Sequence, residues 1–367
     1  MKLKIINVVG ARPNFMKIAP LQRIMDKYKN KIEYKLVHTG QHYDANMSDT
    51  FFKDLEIRKP DYFLGCGNGT HGEQTGKIMI EFEKVIFKEK PDIVIVAGDV
   101  NSTIACALDA VKQHIKVGHV EAGCRSFDRT MPEEINRMLT DAISDYLFAF
   151  DKISQNNLLN EGITKSKISI VGDIMIDSLV FALKKTAMSG FNALKNYGLK
   201  KNEFGIITLH RPSNVDSEET LLDIFKTIEF IQKKITMIFP VHPRTMKNIE
   251  KSAKAAKLVK TMNNIKFVEP LGYFQFIALL KNAKFALTDS GSIQQEASYL
   301  DIPCLTMREN TERPVTINLG TNTLVGNSQK KAVMYFNRIM NGKYKRAKKI
   351  ELWDGHTSER IVKILLK

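Results

Sequence analysis

The chain has 367 residues, 43% of them hydrophobic and 26% charged, a balance that suits a globular protein with apolar material for two cores and excludes long disordered stretches. It has no run of about 18 apolar residues such as a membrane-crossing helix needs, and the start MKLKIINVVGARP is too short in its apolar part for a signal peptide, so a cytoplasmic protein without membrane insertion is expected. A formal charge of +15 fits nucleic acid, an anionic surface or an acidic small substrate, but the lysines are spread along helix faces and only KYKRAKK (Lys343–Lys349) is dense, which reads as a solvated helix end.

Short apolar, β-branched runs alternate with helical spacing from one end of the chain to the other. The first run, IINVV, enters Gly10, Ala11, Arg12 and Pro13, and a helix begins near Asn14 with Lys17 one turn in. Free backbone N–H groups with Arg12 and Lys17 suit an anion site, although surface cations beside a tight turn have the same appearance. YKLVHT follows as the second strand and leads into Gln41 and His42.

DIVIVAG closes on Asp99, which stands before a capped helix and suits either a cap or catalysis. KVGHVEA ends at Glu121, followed by Gly123, and MPEEINR then sets Glu133 and Glu134 in the first turn of a helix, where carboxylates favour the positive dipole end. Together with Asp99 and Glu121 they supply several carboxylates near one strand edge, the material for acid and base work. YLFAF and ISIVG complete this half.

After a less ordered passage at Thr186–Gly205 the pattern restarts with GIITL, MIFPV, IKFVE, KFALTD and IPCLTM. His210 and His242 stand at matching strand ends, and no third ligand at a chemically sensible spacing points to a metal. In LTDSGSIQQEA, Ser290, Gly291 and Ser292 offer donors at a helix N-terminus, and Glu296 falls about one turn on, where it suits a ribose diol. Arg308 and Arg313 follow in MRENTERP. Phe276 lies on the apolar helix GYFQFIALL, where core packing accounts for it equally well. Cys66, Cys106, Cys124 and Cys304 lack CxxC pairing and read as structural thiols.

Continuous apolar strands imply parallel sheets covered on both faces. The expected fold is α/β, with two Rossmann-like doubly wound domains: residues 1–172, joined by the C-terminal helix 356–367, and residues 173–355. Ligands of such sheets sit beyond the carboxyl ends of the strands, where the unusual polar residues cluster.

GARPNFMKIAPL, TGQHYD, AGDVNST, GHVEAG, MPEEINR, LHRPSN, PVHPR, TDSGSIQQEA and TERP, in that order across nearly the whole chain, resemble the non-hydrolysing UDP-N-acetylglucosamine 2-epimerase family. The resemblance implies two domains of the glycosyltransferase B type with a cleft between them, a homodimer, and C2 inversion of UDP-N-acetylglucosamine without cofactor or metal. It implies a route of elimination and re-addition of UDP through 2-acetamidoglucal, in polysaccharide or glycan synthesis. Catalytic roles fall on Asp99, Glu121, Glu133 and His210, and UDP contacts on Arg12, Lys17, His242, Phe276, Ser290, Gly291, Ser292, Glu296 and Arg313. Gln41 and His42 are placed at a second, activating site, although YDANMSD departs from the form expected of regulated enzymes. The alternatives are a 2-epimerase of a modified sugar such as UDP-2,3-diacetamido-2,3-dideoxy-glucuronic acid, a hydrolysing epimerase and a glycosyltransferase. A nucleic-acid-binding module is the non-enzymatic alternative that the charge alone raises.

Overall fold

The computed structural model describes residues 1–41, 54–188 and 193–367. Contact density divides them into two compact units, Met1–Val180 with Glu351–Lys367, and Phe181–Ile350. The division runs through a continuous helix, Ile174–Met188, beyond the strand at which the sequence pattern suggests a boundary.

In the first unit the strands are β1 (Leu3–Val9), β2 (Ile32–His38), β3 (Tyr62–Phe63), β4 (Ile93–Ala97), β5 (Lys116–Ala122), β6 (Tyr146–Ala149) and β7 (Ile168–Ile170). All pair in parallel in the order β3-β2-β1-β4-β5-β6-β7, with Val9 opposite His38 and Asn7 opposite Ile95 on the two flanks of β1. The order reverses beside β1, so the loops after β1 and β4 diverge and leave a crevice there. Every residue of IVIVA in β4 is buried, as a strand covered on both faces requires.

Helices α1 (Arg12–Met25), α2 (His71–Glu89), α3 (Asn101–Lys112), α4 (Pro132–Ile143), α5 (Lys152–Asn160) and α6 (Ile174–Met188) connect these strands or leave the last of them. The start of α2 is written locally: Thr70 accepts from the Glu73 backbone N–H while the Glu73 side chain accepts from that of Thr70.

The second unit repeats the plan with β8 (Phe204–Thr208), β9 (Thr236–Pro240), β10 (Ile265–Val268), β11 (Phe285–Thr288), β12 (Cys304–Thr306) and β13 (Asn322–Leu324), ordered β10-β9-β8-β11-β12-β13. Its longer helices are α7 (Glu218–Gln232), α8 (Pro243–Lys251), α9 (Ala253–Lys260), α10 (Tyr273–Leu280), α11 (Gly291–Tyr299) and α12 (Gln329–Met340). Phe225, Phe239, Phe285 and Phe336 fill its core, and all four cysteines of the chain are buried.

The last helix, α13 (Thr357–Leu365), packs on α1 in the first unit. Its N-terminus has no side-chain cap from its own preceding residue. Asp177 of α6 supplies one instead, accepting from the backbone N–H groups of Thr357 at 3.0 Å and Ser358 at 2.8 Å and from Ser358 Oγ at 2.6 Å. Asp177→Ala strands these donors and is expected to lower stability by about 2–3 kcal/mol, read as an earlier urea midpoint.

Candidate active site

The loop after β1 is tied down by a residue that composition and spacing do not single out. Asn14 Oδ1 accepts from the N–H groups of Gly10 and Ala11 at 3.1 and 2.9 Å, and Asn14 Nδ2 donates to the Ala97 carbonyl at the end of β4 at 2.7 Å. This stitches together the two loops of the crevice. Arg12 opens α1, and one turn later Lys17 is buried and its Nζ forms an ion pair with Glu121.

Glu121 stands at an irregularity in the β5–β6 ladder between Val120 and Ala122, with φ +70°. A left-handed backbone at a residue other than glycine costs about 1–3 kcal/mol and is held by its surroundings. Here a buried counter-charge holds it. Gly98, at φ +72°, lies directly against this pair: a Cβ there would run into Lys17 Nζ and stand 3.8 Å from Glu121 Oε2. Asp99 comes next in the chain, and Arg137 of α4 grips its Oδ2 through Nε at 3.0 Å and Nη2 at 2.6 Å.

Arg137 also donates to Glu134 Oε2 at 2.5 Å. Glu134 in turn accepts from the backbone of Ser126 and Phe127 and from Ser126 Oγ, so it is a buried fastener for the loop before α4. Glu133, its neighbour in sequence, is exposed in the first turn of the helix. Glu134 and Arg137 lie three apart in PEEINR and so share one helix face, on which the pair is buried. Gln41 is buried, and its Oε1 accepts from Ser102 N at 2.9 Å and Ser102 Oγ at 2.6 Å at the start of α3. His42 lies outside the described residues.

In the second unit the residues around β8 and β11 form another cluster. Asp289 is wholly buried and accepts from the N–H groups of His210 and Arg211, and His210 Nδ1 lies 2.9 Å from its Oδ1. Burial alone would raise the Asp289 carboxyl, but the hydrogen bond and charge of His210 and the two backbone donors hold it below the ordinary value. The His210 ring stays partly exposed, with the His242 ring 5.9 Å from it, and His242 Nδ1 accepts from Arg244 N at the start of α8.

Ser290 and Ser292 share a hydrogen bond of 3.1 Å at the start of α11. A Cβ on Gly291 would stand 3.0 Å from Arg313 Nη1, which places that guanidinium over the helix N-terminus. Glu296 is buried and accepts from Tyr273 Oη at 3.0 Å, and Phe276 is half-buried on α10. Glu312, which the sequence pattern did not mark, joins three arginines: Arg313 at 2.7 Å, Arg308 at 2.8 Å and Arg211 at 3.8 Å. Burial and the nearby Arg308 charge push the Arg211 guanidinium down from its ordinary value. One carboxylate among three guanidiniums, close to a helix N-terminus, leaves a site with surplus positive charge suited to an anion.

Among the described residues no group of three or more His, Cys, Asp or Glu side chains is arranged to hold a metal, and no helix is long and apolar enough to cross a membrane.

Because the Asp289 carboxyl is depressed in the folded state, the stability it contributes is present above the unfolded carboxylate range and is lost as pH falls through it. Asp289→Asn is expected to lower unfolding free energy by about 2 kcal/mol at neutral pH, with the gap to wild type closing below about pH 4 in urea melts.

A family model described as UDP-N-acetylglucosamine 2-epimerase matches residues 26–366. A UDP-N-acetylglucosamine 2-epimerase of Methanocaldococcus jannaschii is 47% identical over 370 residues, covering 100% of this chain and 99% of the relative. A UDP-2,3-diacetamido-2,3-dideoxy-D-glucuronate 2-epimerase of Pseudomonas aeruginosa is 42% identical over 328 residues, 88% of each chain. Among solved structures, the M. jannaschii UDP-GlcNAc 2-epimerase in complex with UDP-GlcNAc and UDP matches with TM-score 0.90 at 44% identity over 99% of each chain. The Neisseria meningitidis enzyme bound to UDP-GlcNAc also reaches TM-score 0.90, at 32% identity over 99% of this chain and 100% of its own. The ordered motifs, the paired parallel sheets and these matches together lead to one assignment: the chain belongs to the UDP-N-acetylglucosamine 2-epimerase family.

Proposed function

We propose that the chain inverts C2 of UDP-N-acetylglucosamine reversibly, giving UDP-N-acetylmannosamine, by eliminating UDP and adding it back to a bound 2-acetamidoglucal. The observation that carries this reading is Glu121, a carboxylate on a left-handed backbone at the open end of a parallel sheet, fixed by a buried lysine and adjoining the loop of Asp99. Backbone strain of this kind gathers at functional sites.

In the forward half-reaction a base removes the C2 proton, the C–H electron pair becomes the C1–C2 double bond, and the C1–O bond breaks with its electrons leaving on UDP. In the return half, a proton is delivered to the opposite face of C2 and the same phosphate oxygen rejoins C1. Two acid–base groups on opposite faces are needed, together with donors and cations for the departing diphosphate. Asp99, Glu121, Glu133 and His210 are assigned to the first task. Arg12, Lys17, His242, Phe276, Ser290, Gly291, Ser292, Glu296 and Arg313 are assigned to holding UDP, with Lys17 also acting as counter-charge to Glu121. A cytoplasmic homodimer serving polysaccharide or glycan synthesis belongs to the same reading, with Gln41 and His42 as candidates for a second site whose flanking YDANMSD departs from the form expected of regulated enzymes. The M. jannaschii relative, solved with UDP-GlcNAc and UDP, supports the substrate class.

The P. aeruginosa relative favours a second reading, the same inversion on a UDP-sugar with other groups at C3 and C6.

Incubation with UDP-N-acetylglucosamine in deuterated water tests the choice. Both epimers should gain deuterium at C2 with no added cofactor, whereas free sugar plus UDP would mean hydrolysis, and absence of exchange would move the assignment to the modified sugar. Glu121→Gln is expected to abolish the exchange while UDP affinity stays within about tenfold, roughly 1.4 kcal/mol; an unchanged exchange rate would remove Glu121 from the catalytic set.

A further inference from the structure

His119 lies in β5, wholly buried, two positions before Glu121. Its Nε2 is 2.8 Å from the carbonyl oxygen of Gly98, and its Nδ1 is 2.6 Å from Asp141 Oδ1 on α4. A carbonyl oxygen has no proton to give, so Nε2 donates. On the other side, Asp141 Oδ2 accepts from the Gly123 backbone N–H at 3.0 Å and from Arg125 Nη1 at 2.8 Å. Arg125 is itself forked onto Glu161. A carboxylate so surrounded by donors has no proton to give either, and Nδ1 must donate as well.

We propose that His119 is an imidazolium in the folded protein, and that this buried cation is a positioning residue that locks together the backbone segments from which Asp99 and Glu121 project. Its Nε2–H pins the Gly98 carbonyl, one residue before Asp99. Its Nδ1–H pins Asp141, which through the Gly123 N–H fixes the chain two residues after the left-handed Glu121. The charges facing it are Asp141 on α4 and Arg125 in the loop between β5 and α4, with Glu161 behind Arg125, and the Lys17–Glu121 pair lies against Gly98. A neutral imidazole can donate to only one of its two acceptors, so the second proton is what makes the clamp two-sided.

The charge state stands on hydrogen-bond geometry alone, and its consequence for turnover rests on the proposed roles of Asp99 and Glu121. Nuclear magnetic resonance of the full chain labelled with ¹⁵N-histidine, assigned by comparison with His119→Phe or by through-bond correlation, should show both His119 nitrogens protonated at neutral pH. One protonated and one bare nitrogen would overturn the proposal and needs no variant to be seen. In C2 exchange, His119→Phe is expected to lose about 100-fold in kcat with UDP affinity within about twofold, and His119→Gln, which keeps one donor, to fall between it and wild type. Wild-type turnover in a folded His119→Phe, or an equal loss of kcat and UDP affinity, would overturn the positioning role. A wild-type protein with no C2 exchange on either sugar nucleotide would defeat the functional reading, while the resonance measurement would still decide the charge state.

Discussion

Lys17 reaches Glu121 from the first helix, and because both side chains are buried, removing either would strand the other at a penalty of about 3–5 kcal/mol. Much of the first unit's open edge is arranged around that pair. Asn14 holds the loop from which α1 starts to the end of β4, Gly98 leaves the space that Lys17 occupies, and the irregularity in β5 turns Glu121 out of the regular pleat. Asp99 is then secured by Arg137, and Arg137 by Glu134, so this half-exposed acid has a buried cation behind it.

The second unit has the same strand order with the opposite chemical emphasis. Its crevice is furnished with guanidiniums, histidines and a helix N-terminus, and its buried acids, Asp289 and Glu312, organise those donors. Two sheets of closely similar strand order thus carry different electrostatic surroundings at their open ends, carboxylates backed by buried cations on one and guanidiniums organised by buried acids on the other.

Much of the fold was legible because parallel strands covered on both faces are written as short continuous apolar runs, as IVIVA is. The strands Tyr62–Phe63 and Asn322–Leu324 were not legible, since two or three residues cannot establish a period. Among the candidate site residues, Asp99, Glu121 and His210 stood out as titratable residues closing apolar strands, and Lys17 as a cation one turn into the first helix. Their partners did not: Asn14, Arg137 and Glu312 matter for what they touch across the fold, and such contacts leave no local pattern. Glu133 and Glu134 show the limit most directly, since the helix dipole accommodates either carboxylate and only packing decides which of the two is buried.

Gly98 gives this arrangement an evolutionary edge. It has no functional group and touches no reacting atom in the proposed chemistry, yet its left-handed backbone and the absence of a Cβ are what allow Lys17, Asn14 and Glu121 to meet beside it. A side chain at this position would have to displace the Lys17 ammonium, so any alternative chemistry evolved on this scaffold would inherit that glycine together with the pair it shelters.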